Sequence, residues 1–101
     1  MLCEFSIFPV DRGIHLSEHV ARAVRLIEES GLPHKVCPMG TVVEGSWEDI
    51  MALIKKCHEA IARDSDRVVI NIHIDDHKGA RDRLTGKIAS VEAKLGHEVR
   101  K

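Results

Sequence analysis

Runs of alternating apolar and polar residues predict four β-strands in this chain. In the first strand Cys3, Phe5 and Ile7 alternate with Glu4 and Ser6, as expected for a strand with one buried face. A turn at Pro38 to Gly40 separates the second and third strands, which form either a hairpin or one sharply bent strand. The predicted strands are Leu2 to Pro9, His34 to Cys37, Thr41 to Glu44 and Val68 to Asp75.

Apolar residues at helical spacing predict three amphipathic helices. We expect Ser17 to cap the first helix and Ser46 to cap the second, with Gly31 and Gly96 ending the first and third. The predicted buried positions are Val20, Ala21, Val24 and Ile27 in the first helix, Ile50, Leu53, Ile54, Cys57 and Ile61 in the second, and Leu84, Ile88, Val91 and Leu95 in the third.

The order of these elements is β-α-β-β-α-β followed by an additional C-terminal helix. This order is typical of a ferredoxin-like α+β sandwich, in which two helices cover one face of a four-stranded sheet. A length of 101 residues fits a single domain, residues 1–101.

The strand pattern predicts one uncovered sheet face. If Phe5 and Ile7, together with Ile70, Ile72 and Ile74, face the helices, the opposite face carries polar residues. The first and last strands are neighbours in this fold, so Ser6 with Asn71, and Glu4 with His73, are expected to lie close together. This face is either solvated or a polar platform at an oligomer interface. The apolar stripe of the third helix favours association, as a homodimer or homotetramer.

Composition narrows the classes of partner. Aromatic residues make up only 3% of the chain and the net charge is −1, so nucleic acid is not an expected ligand. No apolar run approaches the roughly 20 residues of a membrane span, and the N-terminal segment lacks the basic region of a signal peptide. Three widely spaced cysteines are expected to be reduced thiols. We therefore expect a cytoplasmic protein.

Two groups of residues suggest chemistry, although neither predicts catalysis. His73, Asp75 and His77 have side-chain types that bind zinc, without a recognised zinc-site spacing. Cys57 and His58 are adjacent on a helix and point about 100° apart, which suits a nucleophile pair poorly. We predict no catalytic residues, no metal and no cofactor.

Trp47, the only tryptophan, follows Gly45 and Ser46 at the start of the second helix. It either packs at the helix entry or forms an aromatic wall for a planar ligand, with Glu44 as an acidic partner.

The run Pro38-Met39-Gly40-Thr41-Val42-Val43-Glu44-Gly45 resembles the small thiamine-binding protein family, also called YkoF-like. Members of that family often have Arg after the paired Asp, where this chain has His77. The likeness extends over most of the chain, through Phe5 to Val10, Ser17 to Gly31, Arg67-Val68, Ile72 to Asp76 and Lys87 to Leu95.

The resemblance implies a ferredoxin-like fold, dimers that can pair into tetramers, and binding of thiamine or its pyrimidine portion without catalysis. The contact residues are our own inference from the chemistry of thiamine. Its cationic thiazolium suits a carboxylate and an aromatic face, and its aminopyrimidine suits short polar side chains. The predicted ligand-binding residues are Ser6, Met39, Gly40, Thr41, Glu44, Trp47 and Asn71.

Two other functions are compatible with the sequence. One is a regulatory or structural interaction module, similar to an ACT domain, that binds another small metabolite or a protein. The other is a metal-dependent enzyme that uses the His73 cluster.

Overall fold

The computed structural model describes residues 1–14 and 16–101 and has the predicted order of elements. The strands pair in the order β2-β3-β1-β4, and all neighbouring strands are antiparallel. This is the ferredoxin-like α+β fold with an additional C-terminal helix. The elements are β1 Leu2–Pro9, α1 Ser17–Ser30, β2 His34–Cys37, β3 Gly40–Glu44, α2 Trp47–Ala62, β4 Val68–Asp75 and α3 Arg83–Leu95.

The β2–β3 segment is a hairpin with a tight turn at Pro38-Met39, and β3 begins at Gly40. Gly40 lies so close to β1 that a Cβ atom there would be 3.0 Å from the carbonyl oxygen of Phe5. The close approach of the strands therefore favours glycine, because a methyl group at this position would push the β1 backbone away by a few tenths of an ångström.

The predicted cap of α1 is wrong, and that of α2 is confirmed. Leu16 occupies the N-cap position of α1 and makes no side-chain capping bond, and Ser17 is already helical. In α2, Ser46 Oγ accepts a hydrogen bond from the backbone N–H of Asp49 at 3.1 Å. Ser46 has the extended backbone that this cap requires.

The core lies between the sheet and the two helices α1 and α2. All five apolar residues predicted for α2 are buried, and α1 contributes Ala23 and Ile27. Ala21, predicted to be in the apolar stripe of α1, is exposed instead. The buried core residues are Cys3, Phe5, Ile7, Ala23, Ile27, Val43, Ile50, Leu53, Ile54, Cys57 and Ile61.

β4 is covered only along its first half. The register confirms that Ile70, Ile72 and Ile74 share a face with the buried row of β1. Val68 and Ile70 pack against the core, whereas Ile72 and Ile74 are 44% and 37% exposed. β4 is an edge strand, and α2 packs mainly on β1, so the end of β4 extends beyond the helix layer.

α3 projects from the body of the protein. None of its four predicted apolar positions is buried: Leu84 is half-buried, and Ile88, Val91 and Leu95 are 39%, 49% and 52% exposed. The radius of gyration, 15.0 Å, exceeds the roughly 13 Å expected for a compact chain of this length, and the extents are 47 × 28 × 20 Å.

Two carboxylates, on the strands either side of β1, hold the start of α3. Glu44 accepts hydrogen bonds from the backbone N–H groups of Arg83 and Leu84, at 2.8 and 3.1 Å. The Oδ2 atom of Asp75 lies 2.9 Å from Lys87 Nζ and 2.8 Å from Arg83 Nη1. Both carboxylates belong to residues paired with Leu2 of β1, so they flank the start of the central strand.

The hydrogen bond from Lys87, followed by that from Arg83 and the positive charges of both side chains, lowers the pKa of Asp75 from its ordinary value of 3.8. A carboxyl with a lowered pKa in the folded state contributes stability at neutral pH. That contribution is lost as the pH falls through the lowered value.

The Gly40 contact gives the first prediction. Gly40→Ala should lower the free energy of unfolding by about 1–3 kcal/mol, because the new methyl group meets the β1 backbone. Gly86→Ala is the matched control. Gly86 lies in α3, and a Cβ atom added there would have open space around it. Alanine should therefore be neutral or stabilising by up to about 1 kcal/mol. Urea unfolding followed by circular dichroism measures both, and equal stability of the two variants would contradict the contact.

Candidate functional site

A cavity of about 430 Å³ lies beside the second half of β1. It exists because β3 pairs with β1 only from Leu2 to Phe5, whereas β4 pairs along the whole strand, from Leu2 to Pro9. From Ser6 onwards the β3 side of β1 is therefore an open edge. The first three turns of α1 and the β2–β3 turn form the other walls.

The open edge also supplies hydrogen-bonding groups. Peptide groups in a strand alternate between its two sides, so part of the Ser6 to Phe8 backbone faces the cavity without a partner strand. A planar ligand with a donor and an acceptor on one edge can pair with such a strand as a neighbouring strand would.

Apolar side chains line most of the cavity. α1 contributes Val20, Val24 and Ile27, and the sheet contributes Phe8 and Val36. Val20 and Val36 remain 44% and 48% exposed, which is unusual for residues next to a core. These walls suit the faces of a flat ring.

Ser6 and Asn71 are the polar pair at the cavity. They are cross-strand neighbours, as the sequence predicted, and Asn71 Nδ2 donates a hydrogen bond to Ser6 Oγ at 3.3 Å. The pair retains the hydroxyl hydrogen of Ser6, the second amide hydrogen of Asn71 and its carbonyl oxygen. Adjacent donors and an acceptor are therefore available to a ligand.

A shallower groove of about 420 Å³ continues from the cavity onto the uncovered sheet face. Ser6, Met39 and Asn71 line both spaces. The groove adds Glu4 and His73, which pair across β1 and β4 as predicted. The exposed carboxylate nearest to the Ser6–Asn71 pair along β1 is therefore that of Glu4.

Five of the seven residues predicted from the sequence lie around the cavity: Ser6, Met39, Gly40, Thr41 and Asn71. Met39, at the turn, is 88% exposed, whereas Thr41 is only 7% exposed. Strand alternation places Thr41 and Glu44 on opposite faces of β3, as the sequence indicated.

Glu44 and Trp47 do not line this cavity or the adjoining groove. Glu44 is level with Leu2, four residues before Ser6, which is about 13 Å along a strand. Both of its carboxylate oxygens accept hydrogen bonds from α3. Trp47 begins α2 and is 54% exposed.

Sequence reasoning did not select several cavity residues, among them Cys37 and the α1 valines. Val20 and Val24 have the same helical spacing as core residues, so periodicity cannot distinguish a cavity wall from a packed core. Cys37 gave no signal because it is an isolated cysteine in a short strand. Its position at the cavity, together with Pro38 and Met39, depends on the hairpin geometry.

The cysteines differ in environment. All three are free, Cys3 and Cys57 are buried, and Cys37 is half-buried. Burial raises the pKa of the Cys57 thiol to about 11 and also raises that of Cys3, to which the charge of Glu4 contributes.

Within residues 1–14 and 16–101, no group of three or more His, Cys, Asp or Glu side chains is arranged to hold a metal ion. Asp75, a member of the sequence cluster around His73, is engaged by Arg83 and Lys87. In the same residues, no helix combines the length and apolar character needed to cross a bilayer.

Comparison with known proteins gives one consistent family. The model of a family described as thiamine-binding protein matches residues 3–92. A UPF0045 protein from Mycobacterium bovis is 38% identical over 96 residues, covering 94% of each chain. The UPF0045 protein YqgV of Bacillus subtilis is 34% identical and covers 93% of this chain and 96% of that protein.

Two solved structures share the fold. A protein from Methanocaldococcus jannaschii superposes with a TM-score of 0.83 at 30% identity, over 89% of this chain and 93% of that one. A Thermotoga maritima protein, proposed to act in thiamine biosynthesis or salvage, superposes with a TM-score of 0.78 at 26% identity. That match covers 89% of this chain and 96% of the other.

The cysteine environments give the second prediction. At pH 8 a thiol reagent should label Cys37 much faster than Cys3 or Cys57, because the buried thiols are inaccessible and, with raised pKa values, form little thiolate. Mass spectrometry of peptides at timed intervals measures each rate. Cys37→Ser is the control and should remove the fast phase. Rapid labelling of Cys57 in the folded protein would contradict the packing described here.

Proposed function

This chain belongs to the thiamine-binding protein family, and we propose that it binds thiamine or its aminopyrimidine portion without catalysing a reaction. The observation that carries the proposal is the cavity at the open edge of β1, with the Ser6–Asn71 pair at its mouth. The thiamine-related role proposed for the Thermotoga maritima relative agrees with it.

The chemistry of the cavity favours the aminopyrimidine as the part that enters. This ring is flat and neutral, with an amino group next to ring nitrogens. Apolar walls fit its faces, and the Ser6–Asn71 pair and the free backbone edge of β1 fit its donors and acceptors. Because none of the described residues that line the cavity has a carboxylate, the cationic thiazolium belongs elsewhere.

The adjoining groove is the proposed place for the thiazolium. Glu4 supplies a carboxylate there, and Met39 supplies a polarisable side chain at the rim. In this arrangement the ligand crosses the edge of β1, from the cavity to the uncovered sheet face. Glu44 then has a structural role, because it anchors α3.

The binding site gives the third prediction. Thiamine should produce a saturable increase in melting temperature, since a ligand that binds only the folded state stabilises it. Ser6→Ala or Asn71→Ala should weaken binding roughly three- to tenfold, as expected for one lost hydrogen bond. Val20→Trp should fill the cavity and abolish binding.

Matched variants make this test specific. Ala21→Trp adds the same side chain to the exposed side of the same helical turn and should bind normally. Trp47→Ala should also bind normally. Glu4→Gln should weaken thiamine while leaving the neutral aminopyrimidine fragment unaffected. Absence of any saturable shift with millimolar thiamine or its pyrimidine fragment would contradict the proposal.

We further propose that the protein works as a homo-oligomer in which a second copy covers α3. A 13-residue helix without buried side chains is only marginally stable in water. Its apolar stripe and the uncovered sheet face are both available to another copy of the chain.

Association gives the fourth prediction. Native mass spectrometry should show multiples of the 11.3 kDa subunit. The double variant Ile88→Lys with Val91→Lys should shift the population towards monomer, because it puts charge into the apolar stripe. Ala93→Lys, on the opposite side of α3, is the control and should retain the assembly. A wild-type protein that stays monomeric at micromolar concentration would refute this arrangement.

A further inference from the structure

The outer surface of the helix layer contains a basic groove that is separate from the ligand cavity. It has a volume of about 330 Å³ and lies between α1 and α2. The charged side chains that line it are Arg22, Arg25, Lys56, Glu59 and Arg63. Four of the 15 basic residues of the chain therefore meet at one place with only one of its 16 acidic residues, although the net charge of the chain is −1.

Most of these cations are not neutralised within the chain. Arg22 is the exception, because it donates to the carbonyl oxygen of Ala60 at 3.1 Å and pairs with Asp64 at 3.0 Å. Among residues 1–14 and 16–101, no carboxylate lies within 4.0 Å of the charged nitrogens of Arg25, Lys56 or Arg63. Glu59, the acid in the groove, pairs with Lys55 at 3.9 Å.

Arg22 organises the groove. Its bonds to the last turn of α2 join the two helices at this point, which holds Arg63, just after α2, near the α1 arginines. Arg22, which is already neutralised, thus holds the two helices together, and the other three cations of the groove remain available to a ligand.

The adjoining groove between the same helices has a different charge. It shares Leu26 and Lys56 with the basic groove, but its other charged residues are Glu29 and Asp49. The surface between α1 and α2 is therefore basic at one end and acidic at the other. An anion on this surface is confined to the end with the arginines.

We propose that this groove binds a small multivalent oxyanion, namely the phosphate groups of a phosphorylated metabolite. Guanidinium groups bind phosphate oxygens through paired charge-assisted hydrogen bonds, and an ammonium group adds a point charge. At about 330 Å³ the groove is large enough for a di- or triphosphate group. It lies on the side of α1 that faces α2, so it binds independently of the cavity at β1.

Inorganic pyrophosphate is the probe for this site. Isothermal titration calorimetry of the full chain, at constant ionic strength, should show saturable binding of one pyrophosphate per chain. Arg25→Ala combined with Arg63→Ala should weaken binding at least tenfold, because two charge-assisted contacts are lost. Among residues 1–14 and 16–101 neither side chain has a hydrogen-bond or ion-pair partner, and circular dichroism should confirm that the variant is folded.

Two further variants separate a site from general attraction of anions. Lys78→Ala with Arg81→Ala removes the same charge from the exposed loop before α3 and should leave pyrophosphate affinity unchanged. Arg25→Lys with Arg63→Lys keeps the charge, loses the paired hydrogen bonds and should bind with intermediate affinity. Equal weakening in the loop variant and the groove variant, or no saturable binding by the wild type, would overturn the proposal.

Discussion

The unequal pairing of β1 with its two neighbours determines most of this structure. β4 pairs with all eight residues of β1, whereas β3 pairs with only the first four. The shared half of β1 builds the three-strand centre of the sheet and the core beneath it. The other half keeps one free backbone edge. Because the β2–β3 turn and α1 surround that edge, a cavity forms where the pairing of β3 with β1 ends.

The run from Pro38 to Gly45 contributes both to the cavity and to the attachment of α3. Its first residues form the turn beside the cavity, and Gly40 allows β3 to approach the Phe5 carbonyl. Its last acid, Glu44, binds the N–H groups at the start of α3. One short segment thus shapes the ligand cavity and sets the direction of the helix that we assign to self-association. A change in this segment therefore affects the cavity and the anchoring of α3 through different residues.

The three candidate surfaces of the protein have different chemistry and lie on different sides of the fold. The cavity is apolar with a few directed hydrogen-bonding groups, which suits a flat neutral ring. The α3 stripe is apolar and largely exposed. The groove between α1 and α2 is basic. These differences make it possible to disrupt each surface by substitution without changing the others.

The sequence alone determined the element order, the strand bounds to within one residue, the buried stripe of α2 and the pairing of Ser6 with Asn71, because these depend on periodicity and on the register of adjacent strands. It did not determine the partner of Glu44. Glu44 and Trp47 are only three residues apart in sequence, yet the carboxylate of Glu44 binds the start of α3, 39 residues further along. It also did not reveal that α1 valines line a cavity, since packed and cavity-lining residues have the same spacing. The cavity depends on where the pairing of β3 with β1 ends, and the partner of Glu44 depends on where α3 starts. Both are relations between segments distant in sequence, which only the tertiary structure sets.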